Sequence, residues 1–217
     1  MVLIKICGIT NLADARAAIG AGADMLGFNF YAGSPRFIGS QQASDTITAL
    51  RAESESSAQG VRFVGVFVNE QSPETLMNLA RETGLDAVQL HGKESVEFCR
   101  KLKELGPDLI VIKALRAGDG FQPADATRYE TDAIMLDAFH TDLYGGTGQV
   151  FDWTLGRRTR ELVPRLFLAG GLSPENVNQA IAEVRPYAVD VCSSVELRPG
   201  QKDAGRMKAF VDAVRSS

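Results

Sequence analysis

The chain is poor in the residue types that build covalent or metal-held scaffolds. It has three cysteines, two histidines and one tryptophan among 217 residues. Cys7, Cys99 and Cys192 are odd in number, widely spaced and form no C-x-x-C pair, so we expect free thiols in a reducing cytosol and no disulfide scaffold. The two scattered histidines are too few for a zinc or iron site on their own, and no metal site is predicted.

Long apolar runs and an excess of one charge are also absent. No run approaches the roughly 20 apolar residues of a membrane helix, and the first residues lack the pattern of a signal peptide. The 23 Lys and Arg residues face 27 Asp and Glu residues, giving a net charge of -4. This mildly acidic balance gives little support to a nucleic-acid partner. We therefore expect a cytoplasmic protein without a membrane or nucleic-acid partner.

Short apolar runs alternate with helical segments along the whole chain. Near-continuous apolar strands are typical of a parallel sheet that is covered on both faces. Eight such units predict an α/β fold, a single (β/α)8 barrel over residues 1–217. A doubly wound open sheet is the main rival, but it usually has fewer strands and leaves the last two units unexplained. The predicted strands are Leu3–Cys7, Asp24–Phe30, Arg62–Val68, Asp86–Leu90, Leu109–Ala114, Ala133–Leu136, Arg165–Ala169 and Ala188–Cys192.

The predicted helices between these strands differ in strength. Ser72-Pro73-Glu74 and Ser173-Pro174-Glu175 each open a helix with a capping serine and a proline at the first helical position. The weakest helix is Gln122–Arg128, which is short and begins at a proline. A helix over about 151–162 follows a glycine-rich loop at 145–148, which either closes over a ligand or is merely flexible. Cys99 and Trp153 are interpreted as packing residues.

A barrel carries its chemistry at the carboxyl ends of its strands. Cys7 ends the first predicted strand, and it is either a small buried apolar residue or a thiolate base or nucleophile. Asp137 follows the sixth strand, where a carboxylate is costly to desolvate unless it is paired or in use. Burial in a partly apolar mouth would raise the pKa of Asp137, as a general acid requires.

Lys5 shares a strand face with Cys7, because side chains alternate along a strand. A buried lysine needs a carboxylate partner. Asp190 on the eighth strand is a candidate, and it neighbours Lys5 only if the barrel closes. The same cation would favour the Cys7 thiolate.

Further polar positions at these strand ends have two interpretations each. Arg36 is either a surface arginine or a planar clamp for a carboxylate. His91 and Asp190 are candidates for substrate contact, and a structural hydrogen bond explains His91 equally well. Glycines after the last two strands either form tight turns or let backbone N–H groups approach a phosphate. The candidate phosphate-binding residues there are Gly170, Gly171, Ser193 and Ser194.

Eight segments spread over nearly the whole chain form a recognisable set. They are KICGIT at 5–10, GFNFY to SPRFI at 27–38, GVFVN at 65–69, VQLHG at 88–92, MLDAF at 135–139, GGTGQVFDW at 145–153, LAGGLSPENV at 168–177 and VELRPGQKD at 195–203. Each is weakly specific alone. Together and in this order they resemble the phosphoribosylanthranilate isomerase family, tryptophan-pathway enzymes that perform an Amadori rearrangement.

The resemblance implies a (β/α)8 barrel that works without a cofactor. It implies that Asp137 is the general acid that protonates the furanose ring oxygen of N-(5-phosphoribosyl)anthranilate. Cys7 would be the general base that takes the C2 proton from the resulting Schiff base. Arg36 would hold the anthranilate carboxylate, and the loops after the last two strands would hold the phosphate. The partner would be this small phosphorylated molecule, with a monomer favoured over a homodimer.

One segment departs from the family pattern. The family usually has Ser-Ser-Gly after the eighth strand, where this chain has Cys192-Ser193-Ser194. Ser194 would then need a conformation that glycine adopts freely, or would offer its hydroxyl instead. Cys192 also prompts the hypothesis that oxidation links it to Cys7, if strands one and eight are neighbours.

Two other functions remain open at this point. A related phosphosugar isomerase or aldolase could use the same barrel, because a fold alone does not fix the chemistry. It would need a Schiff-base lysine, and Lys113 near the end of strand five is the candidate. A non-catalytic protein that binds a phosphorylated ligand is the third possibility, although pure binding requires neither Cys7 nor Asp137.

Overall fold

The centre of the structure is a ring of eight parallel strands. The structure, a computed structural model, describes residues 1–53, 60–118, 120–137 and 153–217. The strands β1 to β8 are Leu3–Cys7, Met25–Asn29, Arg62–Phe67, Ala87–Leu90, Ile110–Arg116, Ala133–Asp137, Leu166–Ala169 and Ala188–Val191. β1 is hydrogen-bonded to both β2 and β8, so the ring is closed. The predicted barrel is confirmed, and the open-sheet alternative is wrong.

Helices cover the outside of the ring. They are α1 to α7, with bounds Leu12–Ala21, Ser40–Ala52, Pro73–Thr83, Val96–Leu105, Trp153–Leu162, Val177–Val184 and Ala204–Arg215. Ser72 caps α3 as predicted, because its side chain accepts a hydrogen bond from the backbone N–H of Thr75 at 3.1 Å. No helix in the described part of the chain is long and apolar enough to cross a membrane.

The segment between β5 and β6 is a 3₁₀-helix over Pro123–Arg128, where the sequence predicted a helix over Gln122–Arg128. Its first turn is closed by Asp125, which accepts a hydrogen bond from the backbone N–H of Gln122 at 2.9 Å. Such tight turns occur in short pieces. The helical segment between β5 and β6 is therefore shorter than an ordinary barrel helix.

The helix α6 begins later than its sequence predicts. The predicted start at Ser173 is wrong, since the helix begins at Val177. The Asn176 side chain accepts from the backbone N–H of Ser173 at 2.8 Å and donates to the carbonyl of Gly171 at 2.9 Å. These local bonds compete with helix formation and hold the segment after β7 as a turn.

A small hairpin, which was not predicted from the sequence, follows the eighth strand. A 3₁₀ turn at Ser193–Val195 leads into two antiparallel strands, β9 (Glu196–Arg198) and β10 (Gln201–Lys202). The turn between them requires Gly200, whose φ is 80°. The hydroxyl of Thr10, after β1, donates to the Gly200 carbonyl at 2.6 Å. The hairpin is thereby fixed beside the carboxyl end of β1.

Apolar side chains are buried on both faces of the ring, as the near-continuous apolar strands predicted. Ile4 and Ile6 of β1 belong to the layer between strands and helices. Side chains in the opposite phase fill the inside, which is a packed core: Met25, Val64, Ala87, Ile112, Ala114, Ala133, Met135, Phe167, Ala169 and Ala188. By strand alternation, polar residues occupy the next inward positions toward the carboxyl ends of the strands. The site therefore lies at that end of the barrel.

Lys113 lies in the opposite phase to the inward residues Ile112 and Ala114, so it faces the helix layer. Its Nζ is 2.8 Å from Glu94 Oε2 and 3.1 Å from the carbonyl oxygen of Leu90. Both charged side chains are only 1% exposed. Lys113 is therefore unsuited to the Schiff base that the aldolase alternative requires, since it is neither free nor directed into the barrel mouth.

The Lys113–Glu94 pair generates a stability prediction. Glu94→Gln keeps the shape but leaves the buried ammonium without its counter-charge, so we expect the free energy of unfolding to fall by about 3–5 kcal/mol. Urea denaturation measures this. Glu53→Gln is the control, because Glu53 pairs with Arg16 in solvent, where an ion pair contributes little. Equal effects of the two substitutions would contradict the prediction.

Candidate active site

A cavity of about 380 Å³ opens at the carboxyl ends of the strands. Eight of the nine residues that the sequence singled out for chemistry line it. The predicted residues in its lining are Cys7, Arg36, His91, Asp137, Gly170, Gly171, Asp190 and Ser193. Ser194 is not among the lining residues. Asn29 and Gln89 also line the cavity, and sequence reasoning missed both.

A larger depression of about 640 Å³ lies at the opposite end of the strands, near the starts of β3 and β5. Two of its charged side chains, Arg81 and Asp86, are already used by the fold. Arg81 donates to the carbonyl of Leu105 at 3.1 Å, and Asp86 accepts from the backbone N–H of Phe63 at 2.8 Å. The smaller cavity, with its convergent titratable groups, is therefore the better candidate for chemistry.

The first group of the site is the ion pair between Lys5 and Asp190. The two residues are direct partners in the β1–β8 register, and Lys5 Nζ lies 2.6 Å from Asp190 Oδ1. Lys5 is fully buried. Burial alone would lower the pKa of Lys5, but Asp190 and the neighbouring Cys7 raise it above its usual value. Burial raises the pKa of Asp190 to about 7, against the pull of the Lys5 cation. The predicted pairing is confirmed.

The neighbours of Cys7 favour its thiolate form. The Cys192 thiol lowers the pKa of Cys7 well below its ordinary value, and the Lys5 and Lys202 cations lower it further, against the opposing effect of burial. The close approach of these groups depends on Gly27, the register partner of Cys7. A Cβ at Gly27 would lie 2.8 Å from Cys7 Sγ and 3.1 Å from Lys5 Nζ. Glycine therefore makes room for the charged pair.

On the other side of the cavity, three side chains form a hydrogen-bonded row. Gln89 Nε2 is 2.7 Å from His91 Nδ1, and His91 Nε2 is 3.1 Å from Asp137 Oδ2. If the amide donates to Nδ1, the neutral imidazole carries its proton on Nε2 and donates to Asp137. The Gln89 side-chain oxygen is buried and has no hydrogen-bond partner among the described residues. The row thus fixes the His91 ring beside Asp137.

Arg36 is anchored by the hairpin. Its Nε and Nη2 donate to the two carboxylate oxygens of Glu196 at 2.7–3.1 Å. Lys202 holds the same carboxylate, with Nζ 2.9 Å from Glu196 Oε1. Burial works to raise the pKa of Glu196, but Arg36 and Lys202 outweigh it and lower that pKa. The Glu196 bonds also raise the pKa of Arg36.

This anchoring leaves one edge of the Arg36 guanidinium unused. Among the described residues, Nη1 of Arg36 makes no hydrogen bond. A fixed guanidinium with a free edge matches the geometry of a carboxylate. Sequence reasoning missed Glu196 and Lys202, although both lie in the VELRPGQKD segment. That segment marked the region, but nothing in the sequence indicated that the hairpin folds back to Arg36.

The loops after β7 and β8 form the third part of the site. Gly170 and Gly171 have φ values of 90° and 67°. Their backbone N–H groups donate to no other described residue, which leaves two amides for an anion. Ser194 lies in the 3₁₀ turn and does not take a left-handed conformation, so that expectation is wrong. Its hydroxyl donates to the Leu172 carbonyl at 2.6 Å and ties the two loops together.

Three further expectations concern a glycine loop, metal binding and two packing residues. The glycine loop at 145–148 lies outside the described residues. In the part of the chain that is described, no group of three or more His, Cys, Asp or Glu side chains is arranged to hold a metal ion. Cys99 and Trp153 are buried, as predicted for packing residues.

Comparison with known proteins agrees with this geometry. The family model for N-(5'phosphoribosyl)anthranilate (PRA) isomerase matches residues 4–213. The N-(5'-phosphoribosyl)anthranilate isomerase of Rubrobacter xylanophilus is 45% identical over 217 residues, which cover 100% of both chains. A crystal structure of monomers generated from the dimeric isomerase of Thermotoga maritima is 40% identical, with a TM-score of 0.84 and full coverage of both chains.

A third relative was crystallised with a ligand. This phosphoribosyl anthranilate isomerase, in complex with reduced 1-(o-carboxyphenylamino)-1-deoxyribulose 5-phosphate, is 39% identical to the chain. Its TM-score is 0.81, and the match covers 100% of both chains. The resemblance found in the eight sequence segments is thus confirmed. The chain belongs to the N-(5'-phosphoribosyl)anthranilate isomerase family.

Proposed function

We propose that the chain rearranges N-(5'-phosphoribosyl)anthranilate to 1-(o-carboxyphenylamino)-1-deoxyribulose 5-phosphate, with Asp137 as general acid and Cys7 as general base. The observation that carries the proposal is the pairing of a thiol whose pKa is lowered with a carboxyl group on the other side of one cavity. β1 and β6 are separated by β7 and β8 in the ring, so the two groups can act on a sugar between them. The reaction belongs to tryptophan biosynthesis.

The acid step begins at Asp137. Its carboxylic acid donates a proton to the furanose ring oxygen, the C1–O bond breaks, and the nitrogen lone pair forms the Schiff base. His91, held by Gln89, fixes one carboxyl oxygen of Asp137 at 3.1 Å. A positioned acid of this kind contributes roughly 10²–10⁴-fold to the rate.

The base step takes place at Cys7. Its thiolate removes the C2 proton from the Schiff base, and the electrons of that bond move to give the enolamine. Tautomerisation transfers the enol proton to C1 and yields the ketone. Lys5 and Lys202 stabilise the thiolate before the transfer. Asp190 keeps Lys5 in place, and Lys5 lies between Asp190 and Cys7.

Both ends of the substrate are anionic, and each would be held by a positively charged or positively polarised group of the protein. The unused edge of Arg36 would take the anthranilate carboxylate through its planar fork. The Gly170 and Gly171 amides, together with the turn at Ser193, would take the phosphate, as the mouth of a barrel commonly does. Ser194 then supports this site through the Leu172 carbonyl and does not bind the phosphate itself.

The remaining expectations about the chain follow from this site. The cavity supports a small phosphorylated molecule as the partner, and a monomer favoured over a homodimer stays a prediction from the sequence. The three free cysteines support a cytoplasmic location. The barrel includes both ends of the described chain, which supports one domain over residues 1–217.

The assignment of acid and base predicts the effect of two substitutions. Cys7→Ser and Asp137→Asn should each lower kcat by about 10²–10⁴-fold, because each removes one proton-transfer group. Binding of the reduced product analogue, measured by calorimetry, should change far less. Cys99→Ala is the matched control, since Cys99 is buried in α4 away from the cavity, and its kcat should equal that of the unaltered chain. Unchanged turnover in either variant refutes the role of that residue.

The lowered pKa of Cys7 predicts its pH dependence. The thiolate is the reactive form, so a lowered pKa keeps Cys7 reactive as pH falls from 9 toward neutrality, and reactivity is lost only below that pKa. Iodoacetamide alkylation of Cys7, followed by peptide mass spectrometry, measures this. Burial raises the pKa of Cys99 to about 11, so Cys99 should remain unmodified. Lys5→Met should move the Cys7 profile to higher pH. A wild-type profile that rises only above pH 9 would contradict the thiolate.

The Glu196 anchor predicts a selective effect on substrate binding. Glu196→Gln removes the charge that fixes Arg36, and the loss of a charged hydrogen bond is expected to raise KM by about 10–100-fold. A substrate analogue without the anthranilate carboxylate separates positioning from general damage. Its kcat/KM should be nearly the same in Glu196→Gln as in the unaltered chain. An equal loss for both substrates would mean that Glu196 serves only the fold.

A further inference from the structure

Two thiols lie side by side at the mouth of the barrel. Ile6 and Val191 are register partners in β1 and β8, and Cys7 and Cys192 are the next residues. Parallel neighbours are about 4.8 Å apart, which falls within the roughly 4.4–6.8 Å between Cα atoms that a disulfide needs. Both cysteines line the same cavity. The register therefore places the two residues side by side at the ends of neighbouring strands.

Side-chain contacts agree with this register. A Cβ built on Gly8, directly after Cys7, would lie 3.0 Å from Cys192 Sγ. Cys192 is thus in contact with the end of β1. The two thiols also influence each other, because Cys192 lowers the pKa of Cys7 and Cys7 raises the pKa of Cys192.

The electrostatic surroundings favour reaction at this pair. Lys202 Nζ lies 3.8 Å from Cys192 Sγ and 3.1 Å from the Cys192 carbonyl oxygen. Together with Lys5 it places two buried cations beside the two sulfurs. The neighbouring Cys7 raises the pKa of Cys192 well above its usual value, whereas that of Cys7 is lowered, which favours a thiolate on Cys7 and a thiol on Cys192. A thiolate next to a thiol is the arrangement of a redox-active pair.

We propose that Cys7 and Cys192 form a reactive dithiol site that a hydroperoxide converts into an intramolecular disulfide. Cys7 is the attacking sulfur and Cys192 the resolving one. The assignment goes beyond the isomerase reaction, which needs only Cys7. Its effect on turnover rests on the proposed role of Cys7 as base, whereas the disulfide itself does not.

The chemistry proceeds in two balanced steps. The Cys7 thiolate attacks one oxygen of the hydroperoxide, the O–O bond breaks and hydroxide or alkoxide leaves, which gives a sulfenic acid. The Cys192 sulfur then attacks Cys7 Sγ, the S–O bond breaks, and the Cys192 proton leaves with the hydroxyl as water. Two electrons pass from the sulfurs to the peroxide. The disulfide removes the base, and a thiol reductant restores it by exchange.

Cys99 provides an internal contrast. It lies in α4, buried between helix and strands, and does not line the cavity. Burial raises the pKa of Cys99 to about 11, which keeps it as an unreactive thiol. Oxidation should therefore select the other two cysteines.

Hydrogen peroxide is the probe for the test. The purified chain is treated with a small excess, digested without reduction and analysed by mass spectrometry. We expect one cross-linked peptide pair containing Cys7 and Cys192, lighter by two hydrogens than its parts. Turnover should fall in step with this species, and dithiothreitol should restore both.

Cys192→Ser is the deciding variant, with its turnover expressed relative to its own untreated sample. Without a resolving thiol, Cys7 should pass to the sulfinic acid, and dithiothreitol should not restore turnover. Sulfinic acid on Cys7 of the unaltered chain without a cross-link, or a cross-link through Cys99, overturns the proposal. A Cys7–Cys192 disulfide that leaves turnover unchanged upholds the dithiol site and instead overturns the role of Cys7 as base.

Discussion

The site depends on the contact between the first and last strands of the ring. The β1–β8 register brings Lys5 opposite Asp190, and their 2.6 Å contact is buried inside the barrel. A buried ammonium is tolerated only with a counter-charge and hydrogen bonds. Besides Asp190, Lys5 has a second neighbour, Cys7, which lies two residues further along the same face of β1. Ring closure thus supplies both the architecture and the cation that the thiolate needs.

Charge is divided between the two halves of the cavity. Cations surround the sulfur side, where Lys5, Lys202 and Arg36 lie near Cys7. The opposite side has Asp137 next to a histidine whose other nitrogen is already occupied by Gln89. An isomerisation by proton transfer needs one group without a proton and another that holds one. The asymmetry of the mouth favours this difference before any substrate binds.

The sequence was sufficient for those parts of the site that strand alternation controls. Cys7, Lys5 and Asp190 were predicted together because each is an inward position near a strand end. Lys113 was misplaced, since β5 extends further than predicted and its phase turns that lysine toward the helices. Glu196 was missed for a different reason: its contact with Arg36 joins residues 160 positions apart through a hairpin that no periodicity marks. Tertiary contacts of this kind follow from the path of the chain and not from local pattern.

The turn after β8 shows how one local change alters several properties of the mouth. Ser194 stands where the family usually has glycine, yet the turn needs no left-handed residue, because the serine adopts a 3₁₀ conformation and its hydroxyl binds the Leu172 carbonyl. That bond fixes the loop from its far end. The same loop begins with Cys192, whose carbonyl oxygen accepts a hydrogen bond from Lys202 Nζ. A turn held at both ends fixes Cys192 beside the end of β1, so the segment that departs from the family pattern is also the one that positions the second thiol.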